Sequence, residues 1–541
     1  MKAFATLLDR LSFTPGRNAK LKLIADYLAA TPDPDRGLAL AILTGDLDVG
    51  EAKPNMIRKL IAERVDPVLF TLSYDYVGDL SETVALLWPE PSAPAPAPAP
   101  ALSEIVSLLR GAGRARLPQV IADALDRLDA TGRWAFLKLI TGALRVGVSA
   151  RLAKTALAAL GGRDPDAIEE VWHALEPPYA ALFDWIEGRS PAVRVDTALA
   201  FRPPMLAHPL EGSDIAALAP EDYAVECKWD GIRVQAVADA EGRLRLFSRS
   251  GETITDAFPD LVRSLGLSGV VLDGELLVVR EGRVQPFADL QQRLNRKSVT
   301  ARHMEAFPAH LRAYDCLSAD EVDLRPLPFR ERRRRLERLA QTFAGPALTL
   351  SPVLAVTSVE EIAALRADPA AFGVGGDAPA VEGLMLKRWD SAYLAGRPRG
   401  PWWKWKRDPF NVDAVLMYAQ RGHGKRSSFY SDYTFGVWKG EGDRQALVPV
   451  GKAYFGFTDA ELAQIDRFVR NNTSNRFGPV REVRHDPGHG LVFEVAFEGL
   501  NRSGRNKSGL AMRFSRIARI RWDKLPRDAD RIEALEALLA R

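Results

Sequence analysis

Lysines and carboxylates at short, regular intervals give this 541-residue chain its candidate chemistry. Lys228 stands in Glu226-Cys-Lys-Trp-Asp-Gly-Ile-Arg233. In an extended strand residues two apart share a face, so Glu226 and Lys228 point one way while Val225 and Cys227 point to the core. Asp230-Gly231 then turns the chain, leaving the ammonium near a strand end. A lysine that attacks phosphorus must first lose its proton, and burial or adjacent cations make that easier. Lys387, Lys404 and Lys406 are the candidates for those cations. Asp273 and Glu275, separated by Gly274, set two carboxylates on one side of a strand-like run, where they can bind Mg²⁺ or hold a ribose hydroxyl. Val381-Glu-Gly-Leu-Met-Leu-Lys387 carries Glu382 and Lys387 towards opposite ends of another strand. Trp402-Trp-Lys-Trp-Lys406 alternates aromatics with lysines, so Lys404 and Lys406 project together, suited to neutralising a phosphate during in-line displacement. Each pattern alone also describes a surface turn after a strand. Their ordered succession is more specific than any one of them.

Three kinds of element must position these groups. The first ~190 residues read as helices. Leu21, Ile24, Ala25 and Leu28 recur on one helical face, Phe136, Ile140 and Leu144 repeat the spacing, and Ser149 can cap a helix carrying Leu152, Ala153, Ala156, Leu157 and Leu160. A Pro-Ala stretch over 91–100 favours extended polyproline conformation and reads as a long loop inside one helical domain. From about residue 200 the period changes to strands, with one helical interruption at Phe329-Arg-Glu-Arg-Arg-Arg-Arg-Leu-Glu-Arg-Leu339. From about 409 short strands and glycine-rich turns resemble a small β-barrel, closed by a Leu/Ala helix from about Asp530. The expected division is therefore an all-α domain over 1–195, an α+β domain over 200–408 and a barrel with a terminal helix over 409–541.

Composition excludes several classes. At 47% hydrophobic and 26% charged the chain is globular. No apolar run approaches the ~18 residues that span a bilayer, and the N-terminus lacks a signal peptide's apolar core, so a cytoplasmic protein is expected. Two distant cysteines, Cys227 and Cys316, cannot build a four-ligand zinc site and read as small buried hydrophobes. No dense His/carboxylate cluster favours a zinc hydrolase. Net charge is only +3, but unevenly spread: residues 409–541 carry 22 Lys/Arg against 16 Asp/Glu, whereas residues 1–200 carry 22 against 25. The basic end suits an anionic partner or a solvated surface equally.

The ordered motifs resemble the covalent nucleotidyltransferase superfamily, and most closely its ATP-dependent DNA ligases. Glu226–Arg233 is followed by Ser248-Arg-Ser-Gly-Glu252, Leu272-Asp-Gly-Glu-Leu276, Ala313-Tyr-Asp-Cys316, Val381–Lys387, Trp402–Lys406 and a run from Arg513 to Lys524. Gly78-Asp-Leu-Ser-Glu82 and Gly142-Ala-Leu-Arg-Val-Gly-Val-Ser149 carry a fainter resemblance to a helical DNA-binding domain. The resemblance implies that Lys228 attacks the ATP α-phosphate to form lysyl-AMP. It implies that Glu226 recognises the adenine amino group and Tyr314, commonly phenylalanine in the family, stacks on the ring. Arg233 and Glu275 would contact the ribose region, Arg249 the sugar or the nick phosphate, and Lys404 and Lys406 the α-phosphate. Lys387 joins the nucleotide contacts. Glu275 and Glu382 would hold Mg²⁺ or Mn²⁺, and Arg519, Arg521 and Lys524, on a mobile OB-fold barrel, would orient the β- and γ-phosphates. The implied partner is nicked duplex DNA, encircled by a monomer, in repair, recombination or replication. Trp405 stands where the family usually has an aliphatic residue and reads as core filling. The stiff segment 396–401 leaves Arg397 and Arg399 without an assigned nucleotide contact.

Three regions stay open. The basic run over 330–338, with its leucines and two glutamates, reads first as a solvated helix and second as a DNA contact. The loop over 421–428 can track phosphates without reading bases. The helical region lacks net positive charge, so binding DNA would require charges segregated onto faces, with Arg145 and the glycine-flanked turns at the phosphates. An RNA-end ligase or GTP-using capping enzyme shares the lysine chemistry, though the helical region argues against it. An NAD-dependent ligase normally carries a four-cysteine zinc module, and a silent nucleic-acid-binding relative would not need the full lysine and glutamate set.

Overall fold

The computed structural model describes residues 1–541 except 78, 91–97, 143, 173, 194–198, 295, 297–298, 343–344, 373, 422–428, 505 and 540–541. The chain divides into two compact units: 1–163 with 176–191 and 409–541, and 164–175 with 192–408. The expected helical and barrel segments thus fall in one unit. The helix Pro165–Trp172 instead belongs with the central segment, where Glu170 pairs with Arg325 at 2.7 Å.

Among the described residues, 1–191 contain helices and no strand. Arg17–Ala30 buries Ile24 and Leu28 at the expected spacing, and Ser149 accepts from the Leu152 amide at 3.2 Å to cap Ala150–Leu160. Leu144 departs from its predicted face. The helix Ala130–Thr141 stops at Gly142, whose φ of +68° turns the chain into the left-handed region. Arg145 continues at φ +51° and Gly147 at +65°, and the Lys20 ammonium donates to the carbonyls of Val146 and Gly147 at 2.5 and 3.0 Å. Most of the Pro-Ala stretch, together with Gly78 and Ala143 of the faint helical motifs, lies outside the described residues. The chain beyond the stretch is pinned, because Asp35 accepts from the amides of Leu102 and Ser103 at 3.0 and 2.9 Å.

The central unit is built on two sheets. One runs in the order Leu244–Ser248, Ile232–Ala238, Val270–Arg280, Ala309–Ala319, Val322–Asp323. The other runs His208–Pro209, Trp402–Lys406, Val381–Arg388, Tyr223–Trp229, Val353–Leu354. Met205, Phe247, Val271, Leu317, Tyr393 and Trp402 form a buried layer drawing on both sheets, and Leu261, Leu265, Leu290 and Leu336 come from helices packed on the first. Close backbone approach explains two motif glycines. A Cβ on Gly231 would sit 2.5 Å from the Leu276 carbonyl oxygen, and one on Gly383 would sit 2.5 Å from the Trp405 oxygen and 2.6 Å from the Lys406 Cα.

The arginine-rich helix, Phe329–Thr342, is not the freely solvated element its composition predicts. Arg332 is fully buried and bidentate to the equally buried Asp315, at 2.9 and 3.0 Å. Arg333 donates to the Ser351 carbonyl at 2.9 Å. The buried Asp315 carboxylate on the strand Ala309–Ala319 and the Ser351 carbonyl just past the strand Leu348–Leu350 draw these two arginines inward, which a count of charges cannot reveal.

In the C-terminal segment the long strand Phe410–Arg421 pairs with Tyr430–Lys439, Val480–Val483 and Val492–Phe497, and the last of these pairs with Arg516–Arg521. The result is a curled, OB-like sheet. Asp459–Asn471 carries a capping box from Thr458 and Glu461, and Ile532–Leu539 is the terminal helix. Residues 422–428 of the basic loop lie outside the described residues.

Candidate active site

The alternation read from the sequence holds on Tyr223–Trp229. Val225 and Cys227 are buried in the core, and Glu226 and Lys228 share the opposite face. Both cysteines are buried free thiols. The partner strand Val381–Arg388 runs antiparallel, with Gly383 opposite Lys228 and Met385 opposite Glu226. That register fixes the Lys228 neighbourhood. Its ammonium donates to Oε1 of Glu382, and Lys406 lies 3.3 Å from the other carboxylate oxygen. Burial works against the charged form of Glu382, yet Lys228 and Lys406 hold its carboxyl below the usual range.

Lys404 completes a cationic cluster. Burial lowers its ammonium, and Arg397, Lys228, Lys406 and Arg249 push it further the same way. Arg249 is lowered for a similar reason, first by burial and then by Arg233 and Arg397. Such crowding of positive charge is what an anionic ligand relieves. Arg397 therefore faces this cluster, which the stiffness of segment 396–401 hid. Gly396 anchors the segment by accepting from Leu206 at 2.6 Å and donating to Pro204 at 3.1 Å. Arg399 turns elsewhere, to Asp214 at 2.9 Å.

Glu226 lies at the other end of the strand. It pairs with Lys387 at 2.7 Å, and neither side chain is more than 2% exposed. Lys387 therefore sits away from the Lys228 cluster, 4.3 Å from the centroid of the Tyr314 ring and 4.9 Å from that of Trp402. Arg233 reaches the same region but is held by protein groups. It is bidentate to Asp273 at 3.0 and 2.6 Å, meets the Tyr393 hydroxyl at 3.0 Å and donates to the Met205 carbonyl at 2.6 Å. Tyr393 in turn donates to Asp273 at 2.7 Å. Asp273 is thus spent on Arg233 and Tyr393, whereas Glu275 is next on the same face. Burial pushes the Glu275 carboxyl up to about 8, opposed by Lys228 and Arg233 and reinforced by Glu382 and Asp273. Sequence reasoning missed Tyr393, Arg332, Arg333 and Asp315. Asp315 stands beside Tyr314 in its motif and Arg332 and Arg333 lie in the arginine run, but neither pattern shows the partners of these side chains, and only folding brings them near the strand of Lys228.

The donor set suits a nucleoside triphosphate: an aromatic ring and a buried carboxylate at one end, and at the other Lys228 with four further cations, Lys404, Lys406, Arg249 and Arg397. It suits a divalent cation only with the phosphates present. Among the described residues no group of three His, Cys, Asp or Glu side chains stands together for a metal. Magnesium, however, commonly takes one or two carboxylates plus phosphate oxygens and water, which Glu275 and Glu382 could supply.

Arg519, Arg521 and Lys524 belong to the other compact unit. There Arg519 pairs with Glu494 at 2.9 Å, while Arg521 and Lys524 both reach Asp413, at 3.0 and 2.6 Å.

A two-sheet core carrying this lysine, its carboxylates and its lysine pair, followed by an OB-like sheet, defines a nucleotidyltransferase. The family is narrower than that. The model described as ATP dependent DNA ligase domain matches residues 204–406, and that of the ATP dependent DNA ligase C terminal region matches 426–524. A "Probable DNA ligase" of Koribacter versatilis is 31% identical across 99% of this chain and 96% of its own length. Another, of Anaeromyxobacter sp., is 33% identical across 98% of this chain and 96% of its own. The chain belongs to the ATP-dependent DNA ligases. The solved structure named "Pmar-Lig_Pre" covers 96% of this chain and 99% of its own at a TM-score of 0.60; at 15% identity it shows likeness of fold. Among the described residues no helix is long and apolar enough to cross a membrane.

Proposed function

We propose that this ligase seals 5′-phosphate/3′-hydroxyl nicks in duplex DNA, using Lys228 as the nucleophile that carries AMP. The observation that carries the reading is Lys228 itself, on one strand face with a base-end carboxylate two residues before it and Glu382, Lys404 and Lys406 around it. Lys228 leaves Glu382, gives up its proton to solvent and attacks the α-phosphorus of ATP. A P–N bond forms, the bond to the β-phosphate oxygen breaks, and pyrophosphate departs. The nick's 5′-phosphate oxygen then attacks the same phosphorus, the P–N bond breaks and Lys228 is regenerated. Finally the 3′-hydroxyl attacks the activated 5′-phosphate, a new P–O bond forms, its proton passes to solvent and AMP leaves.

The protein's part is alignment and charge. Lys404, Lys406, Arg249 and Arg397 offset the developing charge on the transferring phosphate. Glu226 and Tyr314 hold adenine, and Arg233, fixed by Asp273, shapes the ribose side together with Glu275. Glu275 and Glu382 would hold Mg²⁺ or Mn²⁺, which when bound supplies further charge neutralisation at the phosphates. Arg519, Arg521 and Lys524 orient the leaving phosphates once freed from Glu494 and Asp413. The protein works as a cytoplasmic monomer that closes around DNA, with its helical region contacting the duplex.

Incubation with labelled ATP, GTP or NAD and Mg²⁺ tests the reading. Acid-labile label should come from ATP alone, vanish in Lys228→Ala, and discharge onto nicked DNA that becomes sealed. Label from NAD or GTP overturns the cofactor, and discharge by nicked RNA alone overturns the DNA substrate.

A further inference from the structure

Two cations from separate elements converge on Glu226. Lys387 comes from the neighbouring strand and lies 2.7 Å from Oε2. Arg333 comes from the helix Phe329–Thr342 and lies 3.5 Å from Oε1. Each is fixed by more than Glu226. Arg333 donates to the Ser351 carbonyl and to Glu337, at 2.9 and 2.8 Å, and the Ser351 hydroxyl accepts from the indole of Trp229 at 3.0 Å. Lys387 is enclosed by the rings of Tyr314, Trp402 and Phe329.

We propose that Arg333 and Lys387 are positioning residues for purine selection: they keep Glu226 an acceptor only, so that it takes a hydrogen bond from a 6-amino purine and rejects a 6-oxo one. The inference rests on the reading above that Glu226 meets the base.

The chemistry follows from the two forms of a carboxyl group. An ionised carboxylate accepts and cannot donate, whereas a protonated one can donate to a carbonyl. Glu226 is deeply buried, and burial pushes its carboxyl up; Lys387 and Arg333 pull the other way. Burial outweighs them in sum, and among the described residues Lys387 and Arg333 are the charged groups that favour the acceptor form and limit that rise. Asp315 is a further carboxylate bearing on the pocket, and it raises Glu226 slightly, but Arg332 already pairs with it. Meanwhile Glu226 Oε1 is buried without a hydrogen-bond donor among the described residues. A buried acceptor lacking a donor is costly unless a ligand supplies one. The exocyclic amino group of adenine supplies a donor, and the 6-oxygen of hypoxanthine or guanine supplies a second acceptor.

The test compares labelling of the full chain by ATP and by inosine triphosphate, which differs at the 6-position, in single-turnover adenylation with Mg²⁺. The unaltered chain should favour ATP by roughly 100-fold or more, as expected where a buried polar group would be left unpaired. Lys387→Met and Arg333→Gln should each reduce that ratio about tenfold or more, a loss of roughly 1.4 kcal/mol in discrimination. Lys387→Arg and Arg333→Lys, which keep the charge, should restore most of it. Both nucleotides are tested on the same preparation, so a fall in active protein cancels from the ratio, and a structural role alone leaves it unmoved. If Glu226→Ala abolishes the preference while Lys387→Met and Arg333→Gln retain it, the positioning proposal is wrong. If Glu226→Ala leaves the preference intact, the base reading of Glu226 is wrong instead.

Discussion

Lys228 and Lys406 share the carboxylate of Glu382, one ammonium on each oxygen. A single side chain thereby spaces the proposed nucleophile from one of the cations proposed to meet the α-phosphate. Glu382→Gln keeps the shape and removes the charge. Lysyl-AMP formation should slow by roughly 100-fold, the scale of losing one aligned electrostatic group, and the Mg²⁺ concentration for half-maximal rate should rise. Single-turnover labelling across a Mg²⁺ series measures both. An unchanged rate and metal dependence would remove Glu382 from the mechanism.

Gly383 sets the distance between the strands that carry these groups. In Gly383→Ala the new Cβ meets backbone atoms of Trp405 and Lys406 that cannot rotate away, and φ is already +151°. We expect a loss of about 2 kcal/mol or more in urea unfolding, as for other strained or overpacked buried sites. Adenylation by the folded fraction should fall too, because the strand bearing Lys404 and Lys406 must move. Normal adenylation by a destabilised but folded variant would show that this spacing does not matter.

Arg332 and Asp315 form an ion pair with neither side chain exposed. Breaking it from one side strands a buried charge. Asp315→Asn should cost about 3–5 kcal/mol, whereas Arg332→Met with Asp315→Leu should recover much of that. Equilibrium unfolding of the single and double variants measures the coupling. Equal losses in both would mean that the pair acts through shape and not charge.

His310 makes stability depend on pH in a defined window. Burial, helped by Arg312, lowers its imidazole from 6.5 to about 4. The unfolded chain therefore binds this proton between those values while the folded chain does not. Stability falls as pH drops from about 6.5 towards 4, by up to about 3 kcal/mol, and this residue adds no slope above that range. His310→Gln should flatten that part of the curve. A slope unaltered by the substitution would assign it to carboxylates.

Arg145 is exposed on a left-handed turn whose neighbouring carbonyls are tied down by Lys20. If that turn meets a DNA phosphate, Arg145→Ala should weaken binding to nicked and intact duplex alike. The salt dependence of binding should drop by about one unit in its logarithmic slope. Titrations at several salt concentrations decide it, and an unchanged slope would place the DNA contact elsewhere.

The geometry of the candidate site was legible because its residues sit on strands, where a period of two converts spacing directly into a shared face. Glu226, Lys228, Lys404 and Lys406 needed no tertiary information to be placed in pairs. The helix Phe329–Thr342 has the expected solvated face in Arg330, Arg334, Arg335 and Arg338, but Arg332 and Arg333 depart from it because their partners are distant in sequence. Arg332 is buried by Asp315 and Arg333 by Ser351, neither of which its own pattern announces. Asp273 and Glu275 illustrate both cases: their shared face was readable, but their division of labour depends on Tyr393 and Arg233. Leu144 was lost to Gly142, where one left-handed residue overrode a helical repeat.

The two-residue step from Glu226 to Lys228 also makes the strand a measuring rod. Along an extended chain that step is about 6.6 Å, and the sheet on either side forbids it to stretch. An insertion or deletion of one residue there would not merely shift Lys228; it would send that side chain into the core and bring a hydrophobic one out in its place. The segment can drift in composition at Val225 or Cys227, but its length is closed to change.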